Sequence, residues 1–233
     1  MTSRLEVERA HDLSWCVPSW WDRACYISLW EHEAAEVAAL RRLFPTPPPR
    51  EATFVDVGAN TGFYSIQLAA HFTRVVAFEP DDENAALLAA NAALNGCANV
   101  CVLPVAAWSA LEPVAILVAN PGVPMRSRAH WTTRGGSDAP GEADHDRRDS
   151  VVGLPLDMVP TVHVRLLKVD VEGCGDRVLA GAAATVARDR PLVQMEFHSD
   201  AERRALDELL LPLGYRRHEV DGMSAERELW GPA

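Results

Sequence analysis

Positive charge is scarce in this chain: 22 lysines and arginines stand against 33 aspartates and glutamates, a net charge of −11. A nucleic-acid backbone or an anionic membrane asks for a basic face, so neither is expected as a partner. Long apolar runs are missing too, none approaching the ~20 residues of a membrane span. Glu6, Glu8 and Asp12 interrupt the amino terminus where a secretion signal would place an unbroken apolar stretch. Cysteines are few: Cys16, Cys25, Cys97, Cys101 and Cys174 form neither an even framework nor a C-x-x-C pair. That pattern argues against a disulfide scaffold and leaves zinc on Cys97 and Cys101 without a second pair of ligands. A cytoplasmic protein with reduced thiols is the expectation. At 233 residues the chain suits one domain with a cap, large enough to bury a substantial core.

What is present centres on Phe54-Val55-Asp56-Val57-Gly58-Ala59-Asn60-Thr61-Gly62-Phe63-Tyr64-Ser65. Phe54, Val55 and Val57 are strand formers, Gly58 and Gly62 free a turn, and Phe63, Ile66 and Ala70 recur at helical spacing. Strand, tight turn and helix in that order open a nucleotide-type α/β fold, whose ligands sit at the carboxyl ends of the strands. A dinucleotide loop, G-x-G-x-x-G, needs glycine where this chain has Asn60, so the pyrophosphate cradle is missing. Asp56, two places before Gly58, suits an ammonium or sulfonium group and repels a pyrophosphate. A second strand, Val75-Val76-Ala77-Phe78-Glu79-Pro80, ends in an acid 21 positions after Gly58, where a carboxylate can accept both ribose hydroxyls. Adenosine ribose without pyrophosphate describes S-adenosylmethionine (SAM), with S-adenosylhomocysteine as its product. The plainer reading is that Asp56 and Glu79 cap the elements that follow them.

Residues 1–50 hold four of the seven tryptophans, Trp15, Trp20, Trp21 and Trp30, together with Tyr26. A helical pattern from Glu31 to Phe44 runs through Val37, Leu40 and Phe44, with charges expected on the other face. Pro45, Pro47, Pro48 and Pro49 end it. The segment is expected to be a helical cap on a domain of residues 51–233. Its aromatics either pack it onto the sheet or wall an apolar or sugar-like acceptor, for which Trp20, Trp21, Tyr26 and Trp30 are the candidates.

Beyond Glu79, Asp81 or Asp82 caps a helix that stops at Asn95-Gly96, and Val100 to Ala107 reads as a third strand. Ala107 and Trp108 are a candidate adenine shelf, with a core role for Trp108 as the alternative. Residues 120–150, from Gly135-Gly136 through Asp149, have little apolar content and read as a mobile insertion that orders as a lid. Asp144, His145 and Asp146 within it are either metal ligands or simply solvated. In Val164-Arg165-Leu166-Leu167-Lys168-Val169-Asp170-Val171-Glu172-Gly173, strand alternation puts Leu166, Lys168 and Asp170 on one side. Lys168 and Asp170 can then pair, as a buried lysine requires. Pro191 to His198 repeats the pattern with Glu196 and His198. When such a sheet is doubly wound these strands neighbour the first, bringing Asp56, Asp170, Glu172, Glu196 and His198 to one edge. No metal is expected there. Tyr215 to Val220 and Glu228-Leu229-Trp230, joined at Asp221-Gly222, close the sheet.

These stretches resemble the FkbM-type family of SAM-dependent methyltransferases. The likeness rests on Val55 to Ser65, Phe78-Glu79-Pro80, Leu167 to Gly173, and Val178-Leu179-Ala180-Gly181-Ala182. It implies a Rossmann-like class I fold, a doubly wound α/β architecture with a mostly parallel seven-stranded sheet and an antiparallel last strand. It implies methyl transfer, mostly to a hydroxyl of a polyketide, sugar or other small specialised metabolite. It places SAM contacts at Asp56, Gly58, Asn60, Thr61 and Glu79, with Gly62, Phe63 and Pro80 beside them, and Lys168, Asp170 and Glu172 near the reacting centre. The chain departs from the family at Cys174-Gly175, where a bulky residue and Glu are common.

A neutral alcohol is a poor nucleophile, so a base within hydrogen-bond reach is expected. His198 or Asp170 is the candidate, with Lys168 holding Asp170 ionised and Glu172 orienting either. Methylation of carbon or nitrogen on an aromatic acceptor is the rival outcome. The acceptor and the oligomeric state are not written in the sequence.

Overall fold

A computed structural model describes residues 5–18, 23–48, 50–119, 131–132, 145–171, 173–224 and 227–233. The chain opens with a hairpin, β1 (Leu5–Ala10) and β2 (Leu13–Pro18), followed by a long helix, α1 (Arg23–Leu43). The expected cap therefore carries strands as well as a helix. Periodicity missed them because the hairpin turns on His11 and Asp12, both at positive φ (52° and 62°), without the usual glycine.

The chain continues through β3 (Thr53–Val57), α2 (Phe63–Leu68), β4 (Arg74–Phe78), α3 (Asp82–Leu94) and β5 (Val100–Leu103). Next come β6 (Ala106–Ala107), β7 (Glu112–Ala119), β8 (Trp131–Thr132) and β9 (His145–Leu154). The last part is β10 (Val164–Val169), α4 (Gly175–Gly181), α5 (Ala183–Asp189), β11 (Leu192–Glu196), α6 (Asp200–Leu210), β12 (Tyr215–His218) and β13 (Arg227–Pro232).

Seven strands form the main sheet in the order β12-β13-β11-β10-β3-β4-β5. All neighbours are parallel except β13, which runs antiparallel to both β11 and β12. The chain winds outward from β3 through β4 to β5, then returns to β10 on the other side. The order thus reverses between β3 and β10, where ligands bind in open α/β sheets.

Two expectations need correction. Val100 to Ala107 is not one strand: Pro104, which lacks an N–H, separates β5 from β6, and β6 joins a second sheet of order β6-β9-β7-β8. Residues 145–150, expected in a mobile insertion, belong to β9, whose partners on β7 run from Glu112↔Gly153 to Ala119↔His145. Polar, charged composition hid a strand that is held by its ladder. Gly135–Gly141 and Asp144 lie outside the described residues, as do the side chains of His145 and Asp146.

Alternation along the strands divides the core between the two faces of the sheet. Val55, Val57, Leu167, Val169, Val193 and Met195 face α4–α6. Phe54 and Leu166 face the other way, where Trp15, Val37, Leu40, Phe44, Phe63 and Leu68 cover them. On that second face, toward the carboxyl ends of the strands, the buried residues become charged.

Candidate active site

The turn after β3 is shaped by proximity. A side chain at Gly58 (φ 74°) would collide with the carbonyl oxygen of Asp170, so only glycine lets the two strand ends lie side by side at the switch point. The N–H groups of Gly58 and Ala59 donate to the Phe78 carbonyl at 3.1 and 3.0 Å, tying the loop to the end of β4. Glu79 lies next to that end. Its carboxylate accepts the N–H of Asn60 at 2.7 Å and of Asp81 at 3.0 Å. Burial pushes its pKa up to about 7, against the lowering effect of those amides. The loop amide that a dinucleotide would use is committed to a protein carboxylate. A phosphate-free nucleoside beside an acid fits this arrangement, and a pyrophosphate does not.

On the α1 side, two rungs of polar residues cross the sheet. The inner rung is Asp56, Lys168 and Gln194, in register on β3, β10 and β11. Lys168, the only lysine in the sequence, places Nζ 3.3 Å from Asp56 Oδ1 and 3.3 Å from Asp170 Oδ2, over the Tyr64 ring. The contact with Asp56 Oδ1 has ion-pair distance without hydrogen-bond geometry, while Asp56 Oδ2 accepts from Ser65 Oγ at 2.7 Å. Burial would lower the lysine pKa, but Asp170 and Asp56 outweigh it and raise it. The outer rung is Asp170, Glu196 and Arg227, the last two being register partners on β11 and β13.

Arg227 holds the outer rung together. Its Nε donates to Glu196 Oε2 at 2.6 Å, and Nη2 lies 3.3 Å from Asp170 Oδ2. On its other side it meets α1: Nη1 donates to Glu36 Oε2 at 2.7 Å and Nη2 to Glu33 Oε1 at 3.2 Å. Tyr64 on α2 donates its hydroxyl to the same Glu36 oxygen at 2.7 Å. Burial raises the pKa of Glu33 to about 7, while Arg227 and hydrogen bonds from Tyr64 and Ser224 overcome burial at Glu36 and hold it low. Asp170 is likewise held below its ordinary value, burial being outweighed by Lys168 and Arg227.

At the open edge of this layer, Asp170, Glu196 and His198 bring one ligand-type atom each within 4.8 Å of one another. His198 Nε2 is 3.5 Å from Glu196 Oε1. This convergence is of the kind that holds metals, which the sequence did not suggest. Arg227 contacts Asp170 Oδ2 and Glu196 Oε2 of the same cluster, while His198 faces the other Glu196 oxygen.

The structure thus draws Asp56, Lys168, Asp170, Glu196 and His198 together. Glu172 lies outside the described residues, as do Trp20 and Trp21, and the side chains of Tyr26 and Trp30 on α1 are not described. Several placements differ from expectation. Asp56 is fully buried, and the ammonium facing it is the chain's own Lys168. Phe63 stacks on Trp15 of the amino-terminal hairpin, with centroids 5.8 Å apart. Thr61 and Ala107 are buried, and the Thr61 carbonyl accepts from Asn91. Trp108 is buried, in line with the alternative core role, its indole N–H donated to Glu112 Oε1 at 2.8 Å. Glu33 and Glu36, expected on the solvent face of the helix, are 8% and 1% exposed. They share the inner face with Val37, Leu40 and Phe44, and a spacing of 33, 37, 40 and 44 carries that signal. Arg227 had no signal beyond being a lone cation beside an acid-rich sheet edge.

Comparison with known proteins adds a family. The model of the methyltransferase FkbM domain matches residues 56–217. Among solved structures, methyltransferase FkbM from Methylobacillus flagellatus KT superposes with a TM-score of 0.53 at 18% identity, over 78% of this chain and 44% of that one. Trm5b from Pyrococcus abyssi does so with a TM-score of 0.51 at 11% identity, over 99% of this chain and 55% of that one. This chain therefore spans about half the length of either structure, and at such identities the likeness is one of fold. No match is found among curated proteins. No helix of the described residues is long and apolar enough to cross a membrane.

Proposed function

The chain belongs to the FkbM methyltransferase family, and from that membership and the site we propose that it transfers the methyl group of SAM to a hydroxyl of a small specialised metabolite. The observation that carries the hydroxyl assignment is the placement of His198 beside Glu196 at the strand edge, in one cluster with Asp170 at the end of the neighbouring β10. An alcohol must lose its proton as it attacks, and an imidazole with a carboxylate neighbour suits that work. Aromatic carbon has less need of a base.

When bound, SAM supplies a sulfonium methyl that needs no further activation. Glu79 is the residue to accept the ribose hydroxyls, with Gly58 and Asn60 lining the approach and Pro80 beside them. His198 takes the hydroxyl proton of the acceptor, and Glu196, fixed by Arg227, orients the imidazole and stabilises its charged form. Asp170 is the weaker base because two cations hold it ionised; it aligns the acceptor instead. Lys168 stays buried and balances Asp56 and Asp170. The aromatic residues of the amino-terminal segment, Trp20, Trp21, Tyr26 and Trp30, are candidates for the acceptor wall. A cytoplasmic enzyme working on a dissolved small molecule fits the acidic composition.

The test is incubation with methyl-deuterated SAM and catechol, glucosamine or indole, with product mass and carbon chemical shifts read out. Label on oxygen supports the reading, whereas label on indole carbon or nitrogen overturns it. With the best-labelled acceptor, His198→Ala is expected to lower kcat about 100-fold or more while leaving SAM affinity unchanged. Unchanged turnover would remove His198 from the mechanism.

A further inference from the structure

We propose that Glu202, on α6, is a positioning residue that fixes the turn carrying His198 against the turn that follows Asp170 and Gly173. The proposal rests on His198 being the base. Ser199, Asp200, Ala201 and Glu202 form a capping box, in which the Ser199 hydroxyl accepts the Glu202 N–H at 3.2 Å. In an ordinary box the glutamate reaches back to the N–H of the capping residue. Here Oε2 accepts the N–H of His198, one residue earlier, at 2.7 Å. The other oxygen, Oε1, leaves the helix altogether and accepts the N–H of Gly175 at 2.8 Å. One fully buried carboxylate therefore joins the backbone after β11 to the backbone after β10.

Capping α6 requires neither contact, and the second is made possible by the residue on the far side. A side chain at Gly175 would meet the methyl end of Met195, and would lie 3.0 Å from Glu202 Oε1. Glycine at 175 keeps the space the carboxylate enters. The two turns are those that present Asp170 and His198, so Glu202 sets the distance between the acceptor-aligning acid and the base. Misplacing a reacting group by an ångström costs catalysis without touching the chemistry.

The experiment has two parts. Amide hydrogen exchange by NMR is compared between the full-length protein and Glu202→Gln, whose amide can accept only through one atom. Loss of protection at His198 or Gly175 is expected; full protection at both would overturn the proposal. A double-mutant cycle of E202Q and H198A then uses the best-labelled acceptor among catechol, glucosamine and indole, with SAM affinity measured by calorimetry. E202Q alone is expected to lower kcat about 10- to 100-fold with SAM affinity unchanged. In the H198A background it is expected to cost nothing further, because Glu202 acts through His198. Additive losses would make Glu202 a purely structural residue and overturn the proposal. An H198A variant with normal turnover would instead refute the base assignment on which it stands. Should E202Q not fold, Gly175→Ala, which keeps the carboxylate and presses on its Oε1, takes its place in both parts.

Discussion

Arg227 Nη1 and Glu36 Oε2 meet at 2.7 Å although 191 residues separate them in the sequence. The contact joins the last strand to the amino-terminal helix across the charged layer. Glu33, Glu36 and Arg227 all lie outside residues 56–217, the part that matches the family. The two ends of the chain therefore complete a charged layer whose remaining members, Asp56, Lys168, Asp170 and Glu196, lie within the matched residues.

Removing Arg227 should show how much the layer depends on it. Arg227→Met leaves Glu33, Glu36, Asp170 and Glu196 without their common cation, and breaking a buried pair of this kind costs about 3–5 kcal/mol. Urea denaturation at neutral pH is expected to show a loss of that order, with Arg227→Lys losing less. A loss below about 1 kcal/mol would mean that the carboxylates find other partners.

Glu33 gives the layer a pH dependence. Its pKa rises from 4.5 to about 7 on folding, chiefly through burial, so the native state holds this proton more tightly than the unfolded chain. Its stabilising contribution is complete below pH 4.5 and is lost as pH rises through about 7. Glu36 and Asp170, held low, act in the opposite sense and only at more acidic pH. Glu33→Gln should flatten the decline in stability between about pH 5 and 8, gaining on the order of 2 kcal/mol over the parent at the upper end. Glu79 shifts the same way, so some slope persists. Parallel stability curves for parent and variant would contradict the burial of an ionisable Glu33.

Lys168 and Asp56 should behave as a pair. Lys168→Met leaves Asp56 without its cation, at a cost of about 3–5 kcal/mol, whereas Asp56→Asn leaves Lys168 its contact with Asp170 at 3.3 Å and costs less. The double variant is expected to recover at least 1 kcal/mol of the summed loss in equilibrium unfolding, roughly the coupling seen for contacting charges. Simple additivity would show that the contact at 3.3 Å contributes nothing specific.

Much of this fold was legible because its signals were local. The alternation of Leu166, Lys168 and Asp170 gave the faces of one strand, and Gly58 and Gly62 gave the turn. Lys168 within an apolar strand pointed to Asp170, which it meets. Its pairing with Asp56 follows from register between β3 and β10, and a sequence does not print register. Asp56 was read as the partner of a ligand cation for that reason. Glu33 and Glu36 were read as solvated because acids on a helix usually are, although their spacing with Val37 and Leu40 puts all four on one face. Phe63 shows the same limit from the other side: helix geometry after Gly62 turned it toward Trp15, a contact that depends on a hairpin whose turn lacks glycine.

Glu79 links proton and cofactor. Ribose hydroxyls donate to a carboxylate and so favour its ionised form, while burial holds its pKa at about 7. SAM affinity measured by calorimetry is expected to strengthen up to about tenfold between pH 6 and 8, and Glu79→Gln should weaken binding and abolish the dependence. Flat affinity over that range in the parent would contradict the placement of the ribose at Glu79.

The most direct test is a thermal-shift panel with SAM, S-adenosylhomocysteine, NAD and NADP. A ligand at a hundredfold its dissociation constant adds about 2.7 kcal/mol, which for a domain of this size is roughly 5–10 °C. Stabilisation by SAM and S-adenosylhomocysteine alone is the expected result. Stabilisation by the nicotinamide dinucleotides, or by none of the four, would contradict the reading of the turn after β3 and, with it, every role given to the residues around it.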